Sequence, residues 1–171
     1  MTAPDILLRA AEKSDRGYVL EHWVRAHSHT AEAFHAGPNY VPGMWAQVEA
    51  IFDRSACLIA CAAASPAVIL GFCVVEHAHA APSAPVVHYV FTRQDMRGMG
   101  IAKALLSPLA QTPGVRFSHL PPFHVCVKGR IVVPPKKHGP TPNPLPIPPS
   151  WVYDPHTRML GAYNPAKERA A

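Results

Sequence analysis

No stretch of the 171-residue sequence approaches the run of about 18 apolar residues that a membrane span needs. The opening Met1-Thr2-Ala3-Pro4-Asp5-Ile6 has no basic segment leading into an apolar one. Neither a membrane role nor a secretory leader is therefore expected. Cysteine is scarce: Cys57, Cys61, Cys73 and Cys126 are the four, and none form a C-x-x-C pair. Three lie in apolar runs, where cysteine packs as a small hydrophobe rather than as a thiol reagent or metal ligand. A cytoplasmic setting follows as the expectation. Acidic residues nearly vanish from the last third, where residues 113–171 hold eight Lys/Arg and two Asp/Glu. Residues 1–112 are close to neutral, with eight Lys/Arg and nine Asp/Glu. No tyrosine occurs between Tyr89 and Tyr153.

What is abundant is proline. It fills 20 of 171 positions, 13 of them between Pro113 and Pro165, against a usual share of about 5%. The sequence therefore reads as two parts, a core over 1–120 and a divergent Pro-rich extension over 121–171 that completes the same domain. The length suits one domain with a real core, without a disulfide or metal staple.

The first part alternates strand and helix signals. Asp5 to Ala10 suits a strand, and Ser14 or Asp15 offers a helix N-cap before Val19, Trp23 and Ala26 at helical spacing. His27 to Tyr40 reads as a loop. Pro42 suits a first turn, with Trp45, Val48, Ile51 and Phe52 as the buried stripe. Cys57–Ala63 and Val68–Glu76 are apolar runs joined across Ala64-Ser65-Pro66-Ala67, which predicts a hairpin. Val86 to Thr92 is rich in β-branched and aromatic residues and predicts a central strand. Gly98 to Ala110 predicts a helix with Ile101, Leu105 and Leu109 on one face, and Val115 to Leu120 a further strand. Strands separated by helices predict an α/β domain. In the extension, Phe123–Val127 and Ile131–Val133 flank Lys128-Gly129-Arg130 as a hairpin. Pro134–Pro149 favours polyproline II, and Trp151–Tyr153 with Met159–Tyr163 suggests a final strand pair.

The junction between the Val86–Thr92 strand and the next helix carries the chemistry. Arg97-Gly98-Met99-Gly100-Ile101-Ala102 places two glycines and a cation at a helix start, where the backbone can approach a ligand and free amides favour phosphate. A dinucleotide fingerprint follows the first strand and has a third glycine, whereas this segment follows the fourth strand and has Lys103 there, and G-x-x-x-x-G-K-[ST] is absent.

Those six residues match [QR]-x-x-G-x-[GA], and the sequence resembles the GNAT superfamily of N-acetyltransferases over roughly residues 5–120. The whole first part is similar to members from bacteria and tailed bacteriophages. The resemblance implies a mixed, mostly antiparallel sheet flanked by helices, with acetyl-CoA as acyl donor. Its pyrophosphate would rest on Arg97, Gly98, Met99, Gly100, Ile101 and Ala102, and its pantetheine arm on the backbone of Val90 and Thr92. In the superfamily that strand splays from the next one, and a backbone N–H there polarises the thioester carbonyl.

An amine acceptor must lose a proton. His88, placed by period two on the face of Val90 and Thr92, is the first candidate base, and Glu76 at a strand end the second. The tyrosine that many superfamily members use as general acid has no counterpart. Tyr153 and Tyr163 read as packing anchors, so that role stays open. His27/His29 and His77/His79 lack a companion ligand at zinc spacing, so no metal is expected.

The expected activity is transfer of acetyl from acetyl-CoA to an amine of a small molecule or protein. Two alternatives stand beside it: a non-catalytic acyl-CoA binder acting through a partner, and a basic module binding nucleic acid or protein through its last third. Lys128, Arg130, Lys136 and Lys137 would attract an acidic partner, RNA or DNA, or the 3′-phosphate of CoA, and the Pro-rich tract within residues 121–150 suits a proline-binding groove. No nucleic-acid-binding signature is present.

Overall fold

The computed structural model describes residues 5–28, 40–77, 84–118, 125–127, 130–132 and 151–153. Among the described residues eight strands form one sheet in the order β1-β2-β3-β4-β5-β8-β7-β6. They are β1 (Ile6–Ala10), β2 (Ala56–Ala62), β3 (Ser65–Glu76), β4 (Val86–Thr92), β5 (Arg116–Phe117), β6 (Val125–Val127), β7 (Arg130–Val132) and β8 (Val152–Tyr153). Strands β1 to β4 pair antiparallel, β4 with β5 and β5 with β8 parallel, and β8–β7–β6 antiparallel. The expected mixed, mostly antiparallel α/β sheet is present. Among the described residues no helix is long and apolar enough to cross a membrane.

Helices cover both faces. On one, α1 (Arg16–Ser28) and α2 (Tyr40–Asp53) bury Val19, Leu20, Trp23, Val24, Val48 and Ile51 against Ile59, Cys61, Phe72 and Val74. On the other, α3 (Ile101–Leu106) buries Ile101, Leu105 and Leu106 against Leu70, Cys73, Val75 and Val87. Trp151, just before β8, joins this second core and lies 5.5 Å from Phe117, ring to ring. That contact ties the C-terminal part to the sheet.

Several elements differ from the sequence reading. A 3-10 turn, Lys13–Asp15, precedes α1, and Asp15 acts backwards by accepting the Glu12 N–H at 2.7 Å. Trp45 is exposed, and Met44 takes its place in the α2 stripe. The β2–β3 turn is tighter than expected, at Ala63–Ala64. Pro66 falls in an irregular stretch, because the pairing jumps from Ala62↔Ser65 to Cys61↔Ile69. A proline without an N–H suits that break in the ladder. The helix expected to Ala110 ends at Leu106 and continues as a 3-10 turn, Ser107–Leu109. Pro108 explains it: it cannot donate to Ala104 O, which accepts instead from the Ser107 hydroxyl at 2.7 Å. The hairpin around Lys128–Gly129 and the strand at Val152–Tyr153 are present. The polyproline tract and Met159–Tyr163 lie outside the described residues, as does most of the His27–Tyr40 loop.

Candidate active site at the open edge of strand β4

Strand β4 pairs with β3 along its length but with β5 only at Val86↔Arg116 and Val87↔Phe117. The Ser118 N–H adds a bond to Val87 O at 3.1 Å, and among the described residues the β4–β5 ladder stops there. The Arg93 N–H donates to Leu70 O at 2.9 Å. Backbone groups alternate edges along a strand, so Phe91 also faces β3, whereas Val90 and Thr92 present N–H and C=O to the edge away from β3. Gly71 confirms the first half: a Cβ built there would meet Phe91 O at 2.5 Å. The two residues expected to hold an extended arm by their backbone are thus two whose backbone faces away from β3.

The loop after β4 has the required form. Gly98 and Gly100 both take φ +82°, which L side chains adopt only with strain. A Cβ at either would meet nothing within 4 Å, so the loop backbone lies open. The Met99 N–H donates to Met96 O, and the first bond of α3 is Ala104 N–H to Gly100 O at 2.9 Å. The amides of Gly100, Ile101 and Ala102 therefore precede the helical ladder. Arg97 is exposed beside them, and Ile101 is buried as the loop's anchor.

The structure brings His88 and Glu76 together, but not on the expected face. The β3–β4 register runs Val74↔Tyr89 and then Val75↔Val87, so His88 is the inserted residue of a β-bulge. A bulge breaks the alternation of period two and re-aims its side chain. His88 turns away from the Val90 face and toward α1, with its ring 6.4 Å from that of Trp23. Its Nε2 lies 2.8 Å from Glu76 Oε2 and its Nδ1 3.1 Å from Ser118 Oγ. Arg54 Nε donates to Glu76 Oε1 at 3.0 Å. Glu76, His88 and Ser118 are all buried, His88 to 1% exposure. Glu76, the second candidate, is held inside the fold between a guanidinium and an imidazole.

Sequence reasoning missed Arg54, Ser118 and Trp23 as members of this site. Trp23 is fully buried and stacks on Tyr89 at 5.5 Å with ring planes 7° apart, and burial pushes the Tyr89 phenol up to about 12. Among the described residues two buried polar atoms beside β4 have no hydrogen-bond partner, Nε1 of Trp23 on α1 and Oγ1 of Thr92. An orphaned buried donor or acceptor costs about 1–3 kcal/mol. Burial also raises the thiols of Cys57, to about 12, and Cys73, which removes both as nucleophiles at neutral pH. Among the described residues no group of three His, Cys, Asp or Glu could hold a metal ion. Tyr153 and Tyr163 fall where no side chain is described.

No protein-family model matches the sequence, and no curated protein does. Several solved structures similar to this chain carry acetyltransferase names, and one, from Bacillus halodurans, is named a transcriptional regulator. One, described as histone acetyltransferase HPA2 and related acetyltransferase from Corynebacterium glutamicum, is 18% identical over 67% of this chain and 75% of its own, with a TM-score of 0.46. An aminoglycoside N-acetyltransferase in complex with CoA is 23% identical over 63% and 68%, with a TM-score of 0.37. A ribosomal-protein-alanine N-acetyltransferase from Brucella melitensis biovar Abortus is 19% identical over 61% and 69%, also with a TM-score of 0.37.

Proposed function

We propose that this protein is a GNAT-type acyltransferase that moves an acetyl group from acetyl-CoA to an amine. The observation that carries the reading is the coincidence of two independent features on one strand. Among the described residues, the backbone edge of Val90 and Thr92 has no strand partner past the end of the ladder to β5, and the left-handed Gly98–Gly100 loop opens at the same end of β4.

The residues fit acetyl-CoA. Arg97 and the amides of Gly98 to Ala102 would hold the pyrophosphate, charge against charge and N–H to oxygen. Val90 and Thr92 would extend the sheet by one strand-like arm. Thr92 Oγ1, buried and unpartnered, gives that arm a polar partner on the α3 side. When bound, acetyl-CoA supplies a thioester carbon open to attack. On the α1 side, Trp23 Nε1 is a buried donor for an acceptor molecule's oxygen, and the Trp23–Tyr89 stack is a flat apolar wall beside it. His88 is the base: Glu76 fixes its orientation and stabilises the imidazolium that forms when it takes a proton.

The test is thiol release from acetyl-CoA in the presence of 2-phenylethylamine, spermidine or an alanine-headed peptide. Release that depends on an amine, and that is lost in His88→Ala while acetyl-CoA still binds, is the expected result. Binding of acetyl-CoA with no release on any amine would convert the protein into a binding module. Steeply salt-dependent binding to nucleic acid, lost on replacing Lys136 and Lys137, would point to the basic last third instead.

A further inference from the structure

Tyr18 and His22, one turn apart on α1, stack ring on ring with centroids 4.0 Å apart. Phe91 of β4 meets both edge-on, at 6.3 and 4.8 Å. The stacked pair lines a cavity of about 480 Å³, together with Ala67, Val68 and Ile69 of β3 and with Arg93. That volume lies in the range of small-molecule sites. Ala67 and Val68 are exposed and the other four half-buried, so a ligand can enter. None of the six belongs to the acetyl-CoA or acceptor positions assigned above. The polar groups here are few and directional. Arg93 gives two of its N–H groups to Asp95, from Nε at 3.1 Å and from Nη2 at 2.5 Å. Among the described residues, Nη1 and the second Nη2 N–H have no partner, so the end-on fork of the guanidinium is free. His22 Nδ1 lies 2.9 Å from Tyr18 O. A carbonyl only accepts, so Nδ1 carries the N–H and a neutral ring offers Nε2 as an acceptor. Burial raises the Tyr18 phenol above its ordinary range, and the nearby Arg93 charge opposes that rise.

We infer that this cavity is a second small-molecule site, one that takes a flat aromatic ring bearing a carboxylate. The ring packs between the Tyr18–His22 pair and the apolar side chains of Ala67, Val68 and Ile69. Its carboxylate takes the free end-on fork of Arg93 with two parallel N–H···O bonds. An N–H or O–H on the ring donates to His22 Nε2. Charge narrows the class further. An aromatic amine would set its cation against the guanidinium. A phosphate would bring up to two negative charges beside Asp95, whereas a carboxylate brings one and matches the fork in its plane. An aliphatic acid would keep the ion pair but lose the aromatic contact. The site stands on Tyr18, His22 and Arg93 and does not depend on the acyltransferase reading.

NMR of the full chain titrated with indole-3-acetate tests this, beside tryptamine as the cationic counterpart and cyclohexanecarboxylate as the non-aromatic acid. Indole-3-acetate should shift the methyl signals of Val68 and Ile69 and the Nε–H signal of Arg93. It should bind at least about tenfold more tightly than tryptamine, and more tightly than cyclohexanecarboxylate. Arg93→Gln should weaken it by about tenfold. No shift at these three residues at millimolar probe would overturn the site. So would equal binding of tryptamine, or unchanged affinity in a folded Arg93→Gln. Shifts confined to the Gly98–Ala102 loop would overturn it as well, since they would mark an anion held by the loop amides. The probes are compared in the unmutated protein, so the test decides even where the variant does not fold.

Discussion

Glu76 Oε2 and His88 Nε2 lie 2.8 Å apart, although the two residues sit on separate strands, and both are buried. The pair defines a charge arrangement that one atom can upset. Glu76→Gln keeps the shape but removes the negative charge that Arg54 and His88 share. A buried pair that loses one partner leaves the other uncompensated. We expect about 2 kcal/mol of lost stability, because Arg54 retains partial access to solvent, and a fall in kcat of at least tenfold. Urea unfolding and steady-state kinetics measure the two separately. A variant as active as the unmutated protein would remove Glu76 from the mechanism.

Gly71 sits where β3 passes closest to β4 and α3. A Cβ there would meet Phe91 O at 2.5 Å and Ile101 Cγ2 at 3.0 Å. The first of these is backbone and cannot yield without moving the strand that carries the site. Gly71→Ala should therefore cost about 1–3 kcal/mol and weaken acetyl-CoA binding as β4 shifts. The urea midpoint checks the first effect and titration the second. A neutral substitution would show that β4 can slide.

Arg9 and Asp15 form a two-pronged ion pair, with contacts of 2.6 and 3.0 Å, at the start of α1. The Arg9 guanidinium, helped by the Glu12 amide, holds the Asp15 carboxyl below its ordinary range despite burial. A depressed folded value means stability that is present above the unfolded pKa, about 4, and lost as pH falls through the folded one. Asp15→Asn should thus cost about 1–2 kcal/mol at pH 7. The gap between the two proteins should shrink as pH falls below about 4. Denaturation midpoints from pH 7 to pH 2 test this; a constant gap would mean that the pair contributes by shape alone.

Much of the fold could be read from the sequence. Val86–Thr92 is a strand with those boundaries, because β-branched and aromatic residues crowd a segment bounded by proline and by arginine. The glycine loop was equally visible, since only glycine takes φ +82° without strain. The face of His88 was not. A period of two places it with Val90, and nothing in Val86-Val87-His88-Tyr89-Val90 marks an inserted residue; the bulge is set by pairing with Val74 and Val75, thirteen or more residues away. Ser118 and Arg54 were invisible for a related reason. A small hydroxyl in a strand and an arginine after a helix carry no pattern of their own, and become partners only when β3, β4 and β5 lie side by side. Trp45 shows the reverse error, an apolar residue at helical spacing that the helix turns outward.

The central claim is that the β4–α3 junction binds acetyl-CoA, and calorimetric titration of the protein beside Gly100→Glu tests it most directly. Gly100 occupies a left-handed position with open space where its side chain would be, so glutamate there adds strain, bulk and negative charge at the place assigned to the pyrophosphate. The account predicts binding by the unmutated protein and none by a folded Gly100→Glu. A folded, unmutated protein that takes up no acetyl-CoA, or a variant that binds it equally well, would contradict the account.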